Sequence, residues 1–143
     1  MRLTFLISVA ISQIGVAYKW GGSNPLQGFD CSGFVQWVLR SAGIDPPGDQ
    51  TAQALYNAFE RDSTPNSYTA GALAFYGKSV SEITHVGLLI DPYRMIEAGG
   101  GGKLTLTRED AAACGACVRV SLVKSRKDLV AVLKPRYAAI GIL

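Results

Sequence analysis

The sequence is poor in charged residues and in histidine. Only 17% of its residues are charged, below the usual ~25% of soluble domains. It contains a single histidine, His85. The low charge and the apolar fraction of 48% predict a compact globule and argue against disorder. At 143 residues we expect one domain that spans 1–143.

Dense basic runs and long apolar runs are also missing. The net charge is +3, and the longest basic cluster is Lys124-Ser125-Arg126-Lys127. Four such residues at a turn are typical of a solvated loop, so we do not expect nucleic-acid binding. No stretch reaches the ~20 apolar residues that a membrane-spanning helix needs, so the sequence predicts no membrane span.

Cysteine is scarce, and its three copies cannot all pair within the chain. Cys114 and Cys117 form a C-x-x-C motif, which occurs in redox dithiols and as half of a zinc site. No second C-x-x-C exists, and the flanks do not supply the βαβ unit of a redox site. The pattern therefore favours two half-buried thiols or an incidental disulfide. We expect no metal and no cofactor.

The first 17 residues have a positive charge followed by apolar residues, as a short signal peptide does. Ser8, Ser12 and Gln13 interrupt the apolar run. Six apolar residues instead recur at helical spacing: Leu3, Leu6, Ile7, Ala10, Ile11 and Ile14. Because a packed helix needs such a face and a translocated segment does not, we expect a structural helix over 3–16 and no signal peptide.

The rest of the chain divides into helices and then strands. Further helices are predicted over 31–42 and 51–60, the latter capped by Thr51 or Asp49. Strands are predicted over 72–76, 84–90, 93–98, 118–123 and 129–133, with a glycine loop over 99–102 and a short helix over 107–113. This order indicates an α+β fold, in which N-terminal helices pack on a central antiparallel β-sheet of about five to six strands.

Cys31 stands at the start of the second predicted helix. Asp30 precedes it and is predicted to cap the helix by accepting the backbone N–H of Ser32 or Gly33. Cys31 therefore lies in the first turn, where the positive end of the helix dipole favours thiolate over thiol. Because the thiolate is the nucleophile, the pattern indicates a cysteine hydrolase or transferase.

His85 is the candidate base, because an imidazole can take the thiol proton and later protonate the leaving amine. A third residue is needed to orient the ring. If the hairpin after His85 is symmetric about Asp91, the numbers of cross-strand partners sum to 182 and Glu97 lies opposite His85. A slip of one residue would send Glu97 to the other face of the sheet.

The oxyanion that forms during attack needs hydrogen-bond donors. The candidates are the backbone N–H of Cys31 and the hydroxyl group of Tyr18. Gly21 and Gly22 have no side chains, so we expect them to let a substrate backbone approach closely. We interpret Trp20 as an aromatic residue of the core.

Five segments, in this order, resemble the NlpC family of papain-like cell-wall cysteine peptidases. They are Tyr18-Lys19-Trp20-Gly21-Gly22, Asp30-Cys31-Ser32-Gly33-Phe34-Val35, Gly71-Ala72-Leu73-Ala74-Phe75-Tyr76, Thr84-His85-Val86-Gly87-Leu88 and Met95-Ile96-Glu97-Ala98. The resemblance implies hydrolysis of peptidoglycan stem peptides through a thioacyl-enzyme, usually between γ-D-glutamyl and the diamino acid.

The resemblance also implies a role for each matching residue. Cys31 is the nucleophile, His85 the base and Tyr18 the oxyanion helper, while Asp30 and Ser32 recognise the N-terminal side of the stem peptide. One residue departs from the family pattern, since the third catalytic position usually carries His, Asn or Gln and here is Glu97. A carboxylate orients an imidazole at least as well, and it would raise the pKa of the histidine.

The short chain, the Glu97-Ala98-Gly99-Gly100-Gly101 run and the lack of a wall-anchoring module look similar to phage-encoded members of that family. These serve as endolysins or tail-associated lysins, which predicts action on the cell wall and association with a phage particle or release from the host cytoplasm. Two other functions stay open. One is a wall-binding or tail module with a decayed site, and the other is a cysteine amidase or acyltransferase on another amide.

Overall fold

The computed structural model describes residues 2–44, 48, 50–99 and 115–137. The α-helices in these ranges are Arg2–Ser12 (α1), Cys31–Ser41 (α2) and Ala52–Phe59 (α3), and a 3-10 turn spans Val123–Ser125. Two short strands, Ser23–Asn24 (β1) and Gly28–Phe29 (β2), form an antiparallel pair before α2. None of the described helices is long and apolar enough to cross a membrane.

Six further strands of the described part of the chain form one sheet. They are Ser63–Pro65 (β3), Leu73–Gly77 (β4), Ile83–Leu89 (β5), Arg94–Ala98 (β6), Val118–Leu122 (β7) and Leu129–Pro135 (β8). Their order across the sheet is β3-β8-β4-β5-β6-β7, and every neighbouring pair is antiparallel. The predicted α+β class, with helices first and an antiparallel sheet after, is confirmed.

The sheet has a large core on one face and a small one on the other. Side chains of α1, α2 and α3 pack with alternate residues of β4, β5 and β6, among them Phe75, Val86 and Ile96. The opposite face carries a smaller cluster that includes Tyr76 and Met95. Because successive side chains of a strand point to opposite faces, neighbouring strand residues contribute to different clusters.

The first helix is shorter than predicted. It ends at Ser12, so Ile14 lies beyond it and is 45% exposed, and Ile11 is 50% exposed. Leu6 and Ala10 are fully buried, as the apolar periodicity predicts. After the helix, the N–H of Gly15 donates to the carbonyl group of Val118 at 2.8 Å. The turn that makes this bond directs the chain toward the start of β7.

Three short strands were not predicted. β1 and β2 lie between the first two predicted helices, and β3 follows the third predicted helix and ends in a proline. The remaining strands agree with the prediction to within one or two residues. The predicted helix over 107–113, residues 100–102 of the glycine loop, Cys114 and Asp49 lie outside the described residues.

A close backbone contact joins the start of α2 to the loop before it. A Cβ atom on Gly33 would lie 1.9 Å from the carbonyl oxygen of Gly22 and 2.8 Å from Asp30 Oδ1. A Cβ atom on Gly22 would in turn lie 2.3 Å from the carbonyl oxygen of Gly28. Glycine at both positions therefore lets the 21–22 loop pack directly against the first turn of α2.

We expect Gly33→Ala to destabilise the protein by about 3 kcal/mol, because backbone atoms must move to admit the methyl group. Urea unfolding followed by circular dichroism measures the change. Alanine has the higher helix propensity, so a variant as stable as the wild type would show that the close contact is not needed.

Candidate active site

Asp30 caps α2 and also holds the loop that precedes it. Its Oδ1 accepts the N–H of Gly33 at 2.7 Å and the hydroxyl of Ser32 at 3.3 Å. Its Oδ2 accepts the N–H of Gly21 at 3.1 Å. The predicted cap is therefore confirmed, with Gly33 as the donor in the first turn.

Cys31, the first residue of α2, lies beside the start of β5. Its sulfur is 3.8 Å from the carbonyl oxygen of Thr84. Thr84 directly precedes His85, and the side chains of Cys31 and His85 interact and line the same cavity. The fold thus brings together a cysteine and a histidine that are far apart in the sequence.

His85 and Glu97 form a buried pair on neighbouring strands. His85 Nε2 is 2.6 Å from Glu97 Oε1, and the residues are 8% and 4% exposed. Because Nε2 faces the carboxylate, Nδ1 is the ring nitrogen that remains to interact with Cys31. The three side chains form a continuous series from thiol to imidazole to carboxylate.

The predicted register of this hairpin is wrong by two residues. Leu88 pairs with Ile96 and Leu89 with Met95, so partner numbers sum to 184 and Glu97 lies diagonal to His85. A slip of two residues keeps a side chain on the same face, and diagonal neighbours remain within reach of long side chains. The contact therefore forms, although the geometry that predicted it is incorrect.

The pair is charged at neutral pH. Burial alone would lower the pKa of His85, but hydrogen bonds with Cys31 and Glu97 and their negative charge outweigh it and raise the pKa to about 9. Burial would raise the pKa of Glu97, but hydrogen bonds from His85 and Ser121 and the nearby charge of Arg119 hold it well below its ordinary value. The imidazolium of His85 and the sulfur of Cys31 line the same cavity.

Residues that the sequence did not single out support this pair. Arg119 lies opposite Glu97 across β6 and β7, with Nε 3.7 Å from Oε2. Tyr76 lies opposite His85 across β4 and β5, with ring centroids 5.6 Å apart. Its hydroxyl donates to the carbonyl group of Val123 at 2.6 Å. Only the strand register, which a single sequence does not fix, reveals these partners.

Two cavities flank Cys31 and together form a groove. Both are lined by Tyr18, Trp20, Cys31 and Thr84. The cavity on one side, of about 410 Å³, is here called the His85 side, and its further lining residues are His85, Glu97, Gly99, Arg119, Ser121, Ser125 and Arg126. The other, of about 300 Å³, is the Asp30 side, and it adds Asp30, Ser32, Thr51, Ala52 and Ile83. A substrate chain laid in the groove would pass over the sulfur.

Tyr18 and Trp20 lie where the two sides of the groove meet. Tyr18 is 3% exposed, and burial, with the nearby negative charges of Cys31 and Asp30, raises the pKa of its hydroxyl. The hydroxyl therefore stays protonated and able to donate. The interpretation of Trp20 as a core residue is wrong, because it is 58% exposed and lines the groove.

Gly21 and Gly22 support the loop beside the groove. Gly21 has a φ of +72°, a conformation that glycine adopts without strain, and its N–H is bound by Asp30. Gly22 packs on the backbone of Gly28 and Gly33. Their predicted contact with substrate stays a prediction.

The comparisons with known proteins agree with this architecture. The NlpC/P60 family model matches residues 15–119. The chain belongs to the NlpC/P60 family. The bifunctional muramidase/DL-endopeptidase CwlT of Bacillus subtilis is 43% identical over 95 residues, which are 65% of this chain and 28% of CwlT. The chain therefore corresponds to about a quarter of the length of that relative.

Two solved structures of Mycobacterium tuberculosis proteins share the fold. The peptidoglycan hydrolase RipB is 28% identical with a TM-score of 0.70, and the match covers 93% of this chain and 63% of that one. RipD, described as a non-catalytic NlpC/p60 domain protein adapted to peptidoglycan binding, is 22% identical with a TM-score of 0.71. That match covers 95% of this chain and 98% of RipD, and it supports the fold alone. The predicted family and fold are confirmed.

Proposed function

We propose that this NlpC/P60 domain is a cysteine endopeptidase that hydrolyses amide bonds in peptidoglycan stem peptides. The observation that supports it most is the series from half-buried Cys31 through buried His85 to buried Glu97, which opens to a groove at the sulfur. Peptidoglycan as substrate is supported by the family and by the named activities of CwlT and RipB.

The geometry suggests a two-step reaction. The thiolate of Cys31 attacks the scissile carbonyl carbon, and the oxyanion accepts hydrogen bonds from the N–H of Cys31 and the hydroxyl of Tyr18. The imidazolium of His85 gives its proton to the leaving nitrogen, so the C–N bond breaks and a thioacyl-enzyme remains. Neutral His85 then takes a proton from water, which hydrolyses the thioester and restores the thiolate–imidazolium pair.

We further propose that the bond cleaved joins γ-D-glutamyl to the diamino acid. Mass spectrometry of the products from L-Ala-γ-D-Glu-L-Lys tests this. We expect L-Ala-D-Glu and free lysine from the γ-linked peptide and no cleavage of its α-linked isomer. Cleavage of both isomers would contradict the proposed bond. Transfer of the acyl group to an added amine, in place of hydrolysis, would favour the acyltransferase alternative.

The decayed-site alternative predicts ordinary thiols, and the proposed function predicts a reactive one. We expect iodoacetamide at pH 6.5 to alkylate Cys31 at least ~10-fold faster than Cys117, because Cys31 adjoins an imidazolium. Both thiols are half-buried and unbonded to another cysteine, so Cys117 is an internal reference. Peptide mapping by mass spectrometry measures both rates. Equal alkylation rates of Cys31 and Cys117 would favour a non-catalytic binding module, as RipD is described.

Tyr18 is proposed to stabilise the oxyanion through its hydroxyl group. We expect Tyr18→Phe to lower kcat about 100-fold with little change in KM, because the donor acts in the transition state. Steady-state kinetics on the γ-linked peptide measure the change. A rise in KM at constant kcat would instead place Tyr18 in substrate binding.

The place of action is proposed to be the wall side of the bacterial envelope, where the substrate lies. Asp30 and Ser32 line one side of the groove and are proposed to bind the N-terminal part of the stem peptide. Association with a phage particle stays a prediction from the sequence.

A further inference from the structure

The position of His85 assigns the two ends of a substrate to the two sides of the groove. This argument rests on the proposed function. His85 gives its proton to the leaving nitrogen, so the leaving group lies on the same side of the sulfur as the imidazole. His85 lines one cavity, and Asp30 and Ser32 line the other. The leaving group therefore enters the His85 side, and the acyl part lies on the Asp30 side.

The two sides of the groove differ in charge. The Asp30 side contains a carboxylate beside the start of α2. The His85 side contains two guanidinium groups, those of Arg119 and Arg126, with the hydroxyl groups of Ser121 and Ser125 between them in the sequence. Guanidinium groups are suited to binding a carboxylate, because their planar N–H donors match its two oxygens.

Arg126 is held rigidly in a way that leaves donors available. Its Nε and one terminal nitrogen donate to the two oxygens of Asp128 at 2.9 and 2.7 Å. Its guanidinium lies over the ring of Tyr76, 5.0 Å from the centroid, and its side chain is 38% exposed. A guanidinium has five N–H groups, and the Asp128 pair uses two of them. The guanidinium group of Arg126 is thus held in place before a ligand binds, which lowers the entropy lost on binding.

We propose that Arg126, assisted by Arg119, binds a free carboxylate on the leaving-group residue of the substrate. The substrate class is then a stem peptide whose diamino acid carries an unmodified carboxylate next to the scissile bond. A peptide with a carboxamide at that position would lose the charged hydrogen bonds. Arg126 is in this account a specificity-determining residue and takes no part in the chemical steps.

The experiment compares L-Ala-γ-D-Glu-L-Lys with its C-terminal carboxamide, which differ only in the charge of the leaving group. For the wild type we expect kcat/KM to be at least ~10-fold higher on the free acid, the usual effect of losing a hydrogen bond to a charged group. Arg126→Gln should remove this preference by slowing the free acid about 10-fold, and it should leave the carboxamide within about twofold.

Arg94→Gln is the matched control. Arg94 also pairs with an aspartate, Asp91, at 2.6 Å, and it lies on β6, outside the residues that line the groove. The Arg94→Gln variant should keep the wild-type preference for the free acid over the carboxamide. Equal rates of the wild type on both peptides would overturn the proposal, whatever the stability of the variants. An equal loss on both peptides in Arg126→Gln would also overturn it, because a purely structural role predicts that result.

The test separates this proposal from the function on which it rests. If the wild type cleaves neither peptide, the proposed bond is wrong. The affinity of the protein for the two peptides then tests the carboxylate site. Titration calorimetry of both peptides with Cys31→Ala measures it without turnover. Tighter binding of the free acid by about 10-fold supports the site, and equal affinity overturns it.

Discussion

Cys31→Ala abolishes hydrolysis of the γ-linked stem peptide, with kcat reduced at least ~10³-fold, and leaves the fold intact. The sulfur supplies the electron pair that attacks the carbonyl carbon, and no other side chain in the described groove replaces it. The alanine keeps the helix start, because the cap comes from Asp30 and Gly33. Product formation by mass spectrometry and thermal unfolding by circular dichroism measure the two effects.

Cys117→Ala is the control for this result. Cys117 is also a free, half-buried thiol, and its backbone pairs with Ala17 and accepts the N–H of Gly99. Alanine preserves those backbone contacts, so we expect activity within about twofold of the wild type. Turnover by Cys31→Ala above about 1% of the wild-type rate would show that Cys31 is not the nucleophile.

Glu97→Gln lowers kcat/KM about 50-fold near pH 9, and only about twofold near pH 7, because it moves the alkaline limit of activity to lower pH. The active form holds an imidazolium, so activity is lost as the pH rises through the pKa of His85. The charge of Glu97 helps to raise that pKa, and an adjacent opposite charge is worth about one to three pH units. Removing it therefore lowers the pKa of His85, and a fall of about two units leaves ~50-fold less imidazolium at pH 9.

The pH profile of kcat/KM between pH 5 and 10 measures this shift. Glu82→Gln removes the same charge from an exposed residue just before β5 and should leave the profile unchanged. An unshifted alkaline limit in Glu97→Gln would mean that Glu97 orients the ring without setting its charge. A wild-type level of activity would contradict its place in the site.

The start of α2 was predictable because its signals are local. Asp30 before Cys31, and a run of apolar residues at helical spacing after it, define a capped helix without knowledge of the rest of the chain. The strands β4 and β5 were predictable for the same reason, since they are continuous apolar runs bounded by turn residues. β3 was missed because its proline, Pro65, is tolerated at the edge of a sheet and reads as a turn.

The register of the β5–β6 hairpin was not predictable in the same way. Symmetry about Asp91 is one of several turn geometries, and the observed pairing differs by two residues. The partnership of His85 and Glu97 was predicted correctly because only the parity of the register decides the face. Arg126 was assigned to a solvated basic loop, since the sequence does not show that Asp128 and Tyr76 hold it in the groove.

The exposed indole of Trp20, where the two sides of the groove meet, provides an intrinsic fluorescence signal for peptide binding. The chain has two tryptophans, and Trp37 is partly buried in α2, 6.2 Å from Phe29 between ring centroids. Emission from Trp20 shifts to shorter wavelength when a peptide displaces water from its ring, while that from Trp37 stays constant. Occupancy of the groove can therefore be followed in unlabelled protein, before and separately from bond cleavage.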